Sequence, residues 1–94
     1  MVIVGGEFEV DPAQREAFIA EREGMMRTSR AEDGCLEYTF AADPLTDDRV
    51  ILFERWDSQA ALDAHLAAIS ARTSSEPRRA SITIYDVAGE RRLR

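Results

Sequence analysis

The chain has 94 residues, 45% of them hydrophobic, which is room for one domain (residues 1–94) with a thin core. That is too much apolar material for a disordered segment. A formal net charge of −6 and a pI near 4.7 argue against a partner held through phosphate contacts, so no nucleic acid is expected.

The single cysteine, Cys35, cannot close an internal disulfide or furnish a cysteine-rich metal site, and no metal is expected. No run approaches the roughly 20 apolar residues of a membrane helix, and no charged-then-apolar leader opens the chain. A soluble, cytoplasmic protein with no membrane partner is the expectation. The basic clusters, Arg78–Arg79 and Arg91–Arg92 with Arg94, read as solvated arginines in a loop and a tail.

Residues Val2 to Val10 place Val2, Val4, Phe8 and Val10 on one face and Glu7 and Glu9 on the other, and this period of two predicts a strand. Gly5–Gly6 interrupts it, as at a bulge or where something approaches the backbone closely. Asp11–Pro12 then starts a helix running to about Ala31, with Asp11 as N-cap, Pro12 in the first turn and Gln14 placed for a capping box. Its inward stripe is Phe18, the aliphatic stem of Arg22, Met25 and Ser29, flanked by Ile19 and Met26. Gly34 closes it, since glycine takes positive φ without penalty.

Cys35 to Ala42 alternates again, with Leu36, Tyr38 and Phe40 opposed to Cys35, Glu37 and Thr39. Asp43 to Asp48 is a turn by composition. Arg49 to Trp56 is a third strand, with Val50, Leu52, Glu54 and Trp56 on one face and Ile51, Phe53 and Arg55 on the other. Apolar side chains on both faces call for cover on both sides, and one helical layer supplies only one. A second subunit is the expected other cover.

Asp57–Ser58 caps a second helix whose Leu62, His65, Leu66 and Ile69 share one face. Arg72 to Arg79 reads as a loop, Ser81 to Val87 as a last strand, and Gly89 to Arg94 as a polar tail. The order strand, helix, strand, strand, helix, strand predicts an α+β, ferredoxin-like split βαβ fold. Such a fold has a four-stranded antiparallel sheet with two helices on one face.

Two stretches narrow this further. Glu32-Asp33-Gly34-Cys35-Leu36-Glu37-Tyr38 has the pattern E-x-G-C-x-x-Y. Glu54-Arg55-Trp56-Asp57-Ser58-Gln59-Ala60-Ala61-Leu62-Asp63-Ala64-His65 has the pattern E-x-W-x-S-x-x-A-L-x-x-H. Together they resemble the antibiotic biosynthesis monooxygenase family, over roughly Val2 to Val87. The resemblance implies a homodimer whose sheets pack as a dimeric α+β barrel, with a pocket in each subunit between sheet and helices. It also implies oxidation of a quinol-like or polyketide aromatic by molecular oxygen with no flavin, metal or other cofactor. Many members carry a second histidine and an aromatic-containing helix after the first histidine. Here Leu66 to Ser75 holds neither, and haem degradation, which uses a histidine late in this region, is disfavoured.

Within that frame His65, the only histidine, is the candidate acid or base, against a purely structural reading in which it is hydrogen-bonded near the sheet. Trp56 either stacks on an aromatic substrate or packs the core. Tyr38 either donates to a quinol oxygen or packs. Phe40 and Leu62 would line the wall, and Tyr85 is a weaker candidate of the Tyr38 kind. Glu54, facing inward among apolar neighbours, must be paired or hold its proton, and Glu7 is a further candidate for substrate binding. Cys35 reads as a small buried residue. A cofactor-independent monooxygenase is the leading reading. A non-catalytic dimeric module that binds a small aromatic is the alternative, and an isomerase or cyclase on the same scaffold is a third class.

Overall fold

Alternating strands of eight residues, separated by short turns and two helical stretches, lay the chain out as one sheet under one helical layer. The computed structural model describes residues 1–69 and 75–94. Its elements are β1 (Val2–Glu9), a 3-10 turn (Pro12–Gln14), α1 (Arg15–Ala20), α2 (Glu23–Arg30), β2 (Cys35–Ala42), β3 (Arg49–Trp56), α3 (Gln59–Ile69) and β4 (Arg79–Asp86). The strands pair antiparallel in the order β2-β3-β1-β4, which is the split βαβ arrangement.

The inward face of the sheet holds Val2, Val4 and Phe8 of β1, Tyr38 and Phe40 of β2, and Val50, Leu52 and Trp56 of β3. Phe18 of α1 and Leu62 of α3 close over them from the helical layer. One cross-strand row, Tyr38–Glu54–Val4–Ile84, runs from the buried edge of this face to its exposed edge. At that far edge the helices give no cover: Ile82 and Ile84 stay 53% and 48% exposed, although they share the helical side with Gly6 and Val4.

The first helix departs from expectation by breaking at Glu21–Arg22. The Arg22 guanidinium turns back to donate to the Phe18 carbonyl at 2.9 Å, the acceptor its own amide would take in an unbroken helix, and that amide bonds Ile19 instead. A side chain inserted into the backbone ladder is a recognised cause of such a kink. The inward stripe of Phe18, Arg22 and Ser29 is nevertheless buried, with Met25, Met26 and Ile19 packed beside it. Asp11 caps the turn through the Ala13 amide, while Gln14 makes only a backbone bond to Asp11.

A second departure is a bulge between Cys35 and Glu37. Cys35 pairs with Trp56 and packs on the core, and Leu36, expected inside with Tyr38 and Phe40, is turned out and 48% exposed. In α3 only Leu62 and His65 are buried, and Leu66 faces solvent rather than the sheet. β4 begins at Arg79, two residues earlier than expected. The loop read over Arg72 to Arg79 lies partly outside the described residues.

Gly34 is the one glycine with positive φ, at +81°. A Cβ there would lie 2.5 Å from Asp57 Oδ1 and 2.6 Å from the Ala61 Cβ, so the turn into β2 is pressed against the start of α3. The Gly34 carbonyl also accepts the Asp57 amide at 2.8 Å. Gly34→Ala is expected to destabilise the fold by about 1–3 kcal/mol from the backbone term alone, with the clash adding to it. Urea denaturation checks this, and an unchanged midpoint would contradict it.

Candidate functional site

The two motif stretches meet at one place, the end of the sheet beneath α3. Alternation along β3 aims Glu54 and Trp56 inward, and β2 aims Tyr38 beside Glu54. Helical spacing then puts Leu62 and His65 over them from α3, whose start is fixed by the Ser58 hydroxyl accepting the Ala61 amide at 3.1 Å.

His65 is enclosed by rings and carboxylates. Its ring centroid lies 4.7 Å from that of Trp56 and 5.1 Å from that of Tyr38. Nδ1 meets Glu32 Oε2 at 3.1 Å, and Nε2 lies 4.0 Å from Glu54 Oε1. Among the described residues Nε2 makes no hydrogen bond and is shut off from solvent. Glu54 Oε1 accepts the Trp56 indole N–H at 2.9 Å, and the Tyr38 hydroxyl donates to Met25 Sδ at 3.1 Å.

Of the sequence candidates, Tyr38, Glu54, Trp56, Leu62 and His65 are therefore brought together and buried. Phe40 adjoins them through the Tyr38 ring, at 5.8 Å between centroids. Glu7 is not part of this group. It lies on the opposite, open face of the sheet, where it accepts from Arg49 Nε at 2.7 Å and lines a surface cleft of about 310 Å³. Tyr85 is on that open face too, its ring lying against Gly5. Glu32 was missed by sequence reasoning. It stands at the α2–β2 turn, and its partner is 33 residues further along the chain.

Five clefts among the described residues are lined by other side chains, and the buried group opens into none of them. Among the described residues no group of three or more His, Cys, Asp or Glu is placed to hold a metal ion, and no helix is long and apolar enough to cross a membrane.

Burial pushes the Glu54 carboxyl above its ordinary range, and the nearby Glu32 pushes the same way. The Trp56 hydrogen bond and the His65 ring pull it back without cancelling the effect. Burial likewise raises the Cys35 thiol, helped by Glu32. The cluster can thus hold a proton on a carboxyl group beside an imidazole with one free nitrogen, walled by two aromatic rings. That is an arrangement for taking up or releasing a proton away from water.

The chain belongs to the antibiotic biosynthesis monooxygenase family, whose model matches residues 1–74. Among individual proteins it is 39% identical over 64 residues to sll1783 of Synechocystis, an uncharacterized protein, with 68% of this chain and 44% of that one covered. The match therefore spans less than half of the Synechocystis protein. It is 28% identical over 65 residues to the candidate monooxygenase YcnE of Bacillus subtilis, covering 69% and 68% of the two chains. The solved structure of Rv0793 from Mycobacterium tuberculosis superposes with a TM-score of 0.78 at 29% identity, covering 95% of this chain and 96% of that one.

Glu54 gives the site a pH signature. Below the pKa of an unfolded glutamate, about 4.3, both states carry the neutral acid. As pH rises, the unfolded chain ionises first while the folded chain keeps its proton, so stability falls until pH passes the raised folded value. Glu54→Gln removes this loss. Its urea midpoint is expected to gain on the wild type as pH climbs from about 4 toward 8, and a gap constant with pH would show that Glu54 ionises freely in the fold.

Proposed function

We propose that the chain is a monooxygenase that inserts one oxygen atom of O₂ into an electron-rich phenol or quinol-like ring without a cofactor. The observation that carries this reading is the juxtaposition of Glu54 and His65, two proton-carrying groups out of water, with the rings of Tyr38 and Trp56. The ring supplies the electrons. Loss of its phenolic proton to the buried base gives a phenolate able to reduce O₂, and a peroxide forms at a ring carbon bearing hydrogen. Loss of that hydrogen as a proton, with cleavage of the O–O bond and proton delivery to the departing oxygen, releases water and leaves a quinone. One oxygen atom ends in the product and one in water. The protein's contribution is to desolvate and orient the ring and to handle the two protons.

The burial of His65 and Glu54 favours a second reading, a non-catalytic domain that binds an aromatic metabolite and in which His65 only anchors α3. Oxygen uptake by the purified protein with a panel of quinols and anthrones separates the two. Uptake above the spontaneous rate, falling by about tenfold to a thousandfold in a folded His65→Ala variant, is expected for the oxygenase. Saturable binding with the ligand recovered unchanged would instead support the binding module.

A second copy of the chain is proposed to cover the open face of the sheet. Ile51 and Phe53 of β3 and Tyr85 of β4 lie there, with Phe53 40% exposed. Exposed apolar residues gathered on one face mark an interaction surface. Phe53→Asp is expected to weaken self-association by about a hundredfold, because the carboxylate would be buried between two sheets. Sedimentation velocity reads this directly, and a wild-type chain that stays monomeric at high micromolar concentration would refute the dimer.

A further inference from the structure

Neither motif alone explains why His65 is held as it is. The contacts of its ring come from three separate elements: Glu32 from the α2–β2 turn, Tyr38 from β2, and Glu54 and Trp56 from β3. A further titratable group beside the two carboxyl groups is Cys35, at the start of β2, which feels both Glu32 and Glu54. The imidazole therefore stands between two carboxyl groups, one on each nitrogen, at unequal distances of 3.1 Å and 4.0 Å. Only the shorter of these is a hydrogen bond.

We infer that Glu32 is a positioning residue that keeps the His65 proton on Nδ1, so that the Nε2 lone pair faces Glu54 as the acceptor of its proton. An ionised carboxylate only accepts hydrogen bonds, so a neutral ring against Glu32 must carry its hydrogen on Nδ1. The bond that one ring nitrogen makes fixes what the other can do. Nε2 is then an unprotonated nitrogen, buried and without a hydrogen bond among the described residues, aimed at the carboxyl group that burial inclines to stay protonated. Approach of the two by about 1 Å would complete a hydrogen bond. Transfer of the proton would leave a Glu54 carboxylate and an imidazolium, with the new positive charge already faced by Glu32. Glu32 is itself partly exposed, its side chain 23% accessible, so the outer end of the chain of groups meets solvent while the inner end does not.

This inference rests on the oxygenase reading for its use but not for its test. Because His65 is the only histidine, the imidazole resonances of the whole protein belong to it. Nitrogen-15 spectra of the intact chain at roughly pH 8 read the tautomer without mutation. A neutral ring protonated on Nδ1 is expected. A ring protonated on Nε2, or on both nitrogens, would overturn the assignment. In Glu32→Ala the ratio of Nδ1–H to Nε2–H is expected to fall by about tenfold or more, since one charge-assisted hydrogen bond is lost. Glu32→Gln serves as a second variant that keeps the side-chain volume. An unchanged ratio in a folded Glu32→Ala variant would also overturn the assignment, because a merely structural glutamate would alter stability and leave the tautomer alone. If the wild type has the Nδ1–H ring but consumes no oxygen with any substrate, the oxygenase reading fails and the positioning role stands. With an active substrate, Glu32→Ala is expected to lower kcat at least tenfold with KM little changed.

Discussion

A carboxyl group buried under a helical layer is the constraint around which this fold is organised. Glu54 lies in the middle of an apolar face, where an unpaired carboxylate would cost several kcal/mol, and a protein this small has little stability to spare. The solution is local and layered: an indole N–H for the near oxygen, an imidazole above it, and a second carboxylate behind the imidazole. Each group is reasonable only because the next is present, so the four behave as a unit and not as separate contacts.

The same cluster is also how α3 is attached. That helix reads QAALDAHLAAI, rich in alanine, and buries just Leu62 and His65. His65 is thus one of two side chains that seat the helix on the sheet, and the structural and chemical readings of this histidine describe the same contacts. At the other end of the helical layer a buried cation has a comparable place. Arg22 lies with its guanidinium carbon 3.4 Å from the centre of the Phe18 ring and donates to the Phe18 and Ser75 carbonyls, which ties the kink between α1 and α2 to the approach to β4. The aliphatic stem serves the core and the charged head serves the backbone.

Period-two and period-3.6 patterns were enough to place every strand and both helical stretches, because a one-sided sheet enforces the alternation of residues such as Val50, Leu52, Glu54 and Trp56. Two of the local departures arose where a side chain or an extra residue overrode that pattern. Nothing in the run from Arg15 to Arg30 marks the break at Arg22, since the cause is a guanidinium competing for a carbonyl. Leu36, Tyr38 and Phe40 alternate without fault, and only the pairing with β3 reveals the bulge that turns Leu36 out. Parity already separated Glu7 from Phe8, so its place on the open face was readable, and its inclusion as a site residue went against the pattern. Glu32 was hidden for a different reason. Its partner is remote in sequence, and its place in the turn motif looked sufficient to explain it. The usable signal was that Glu32, Glu54 and His65 are all fixed positions of the two motifs, and that folding brings the motifs to one end of the sheet.

The exposure of β4 on both of its faces bears on proteostasis. Arg79–Asp86 is an edge strand, and its Ile82-Thr83-Ile84-Tyr85 core combines high β-propensity with no proline or glycine. A segment of this kind templates strand addition by another chain, the first step toward aggregates. Charges stand at its two ends, Arg78 just before it, Arg79 at its start and Asp86 at its close, where gatekeepers are placed in natural sequences. Arginines that looked like incidental features of a polar loop thus stand where a charge works against edge-to-edge stacking of copies of the chain.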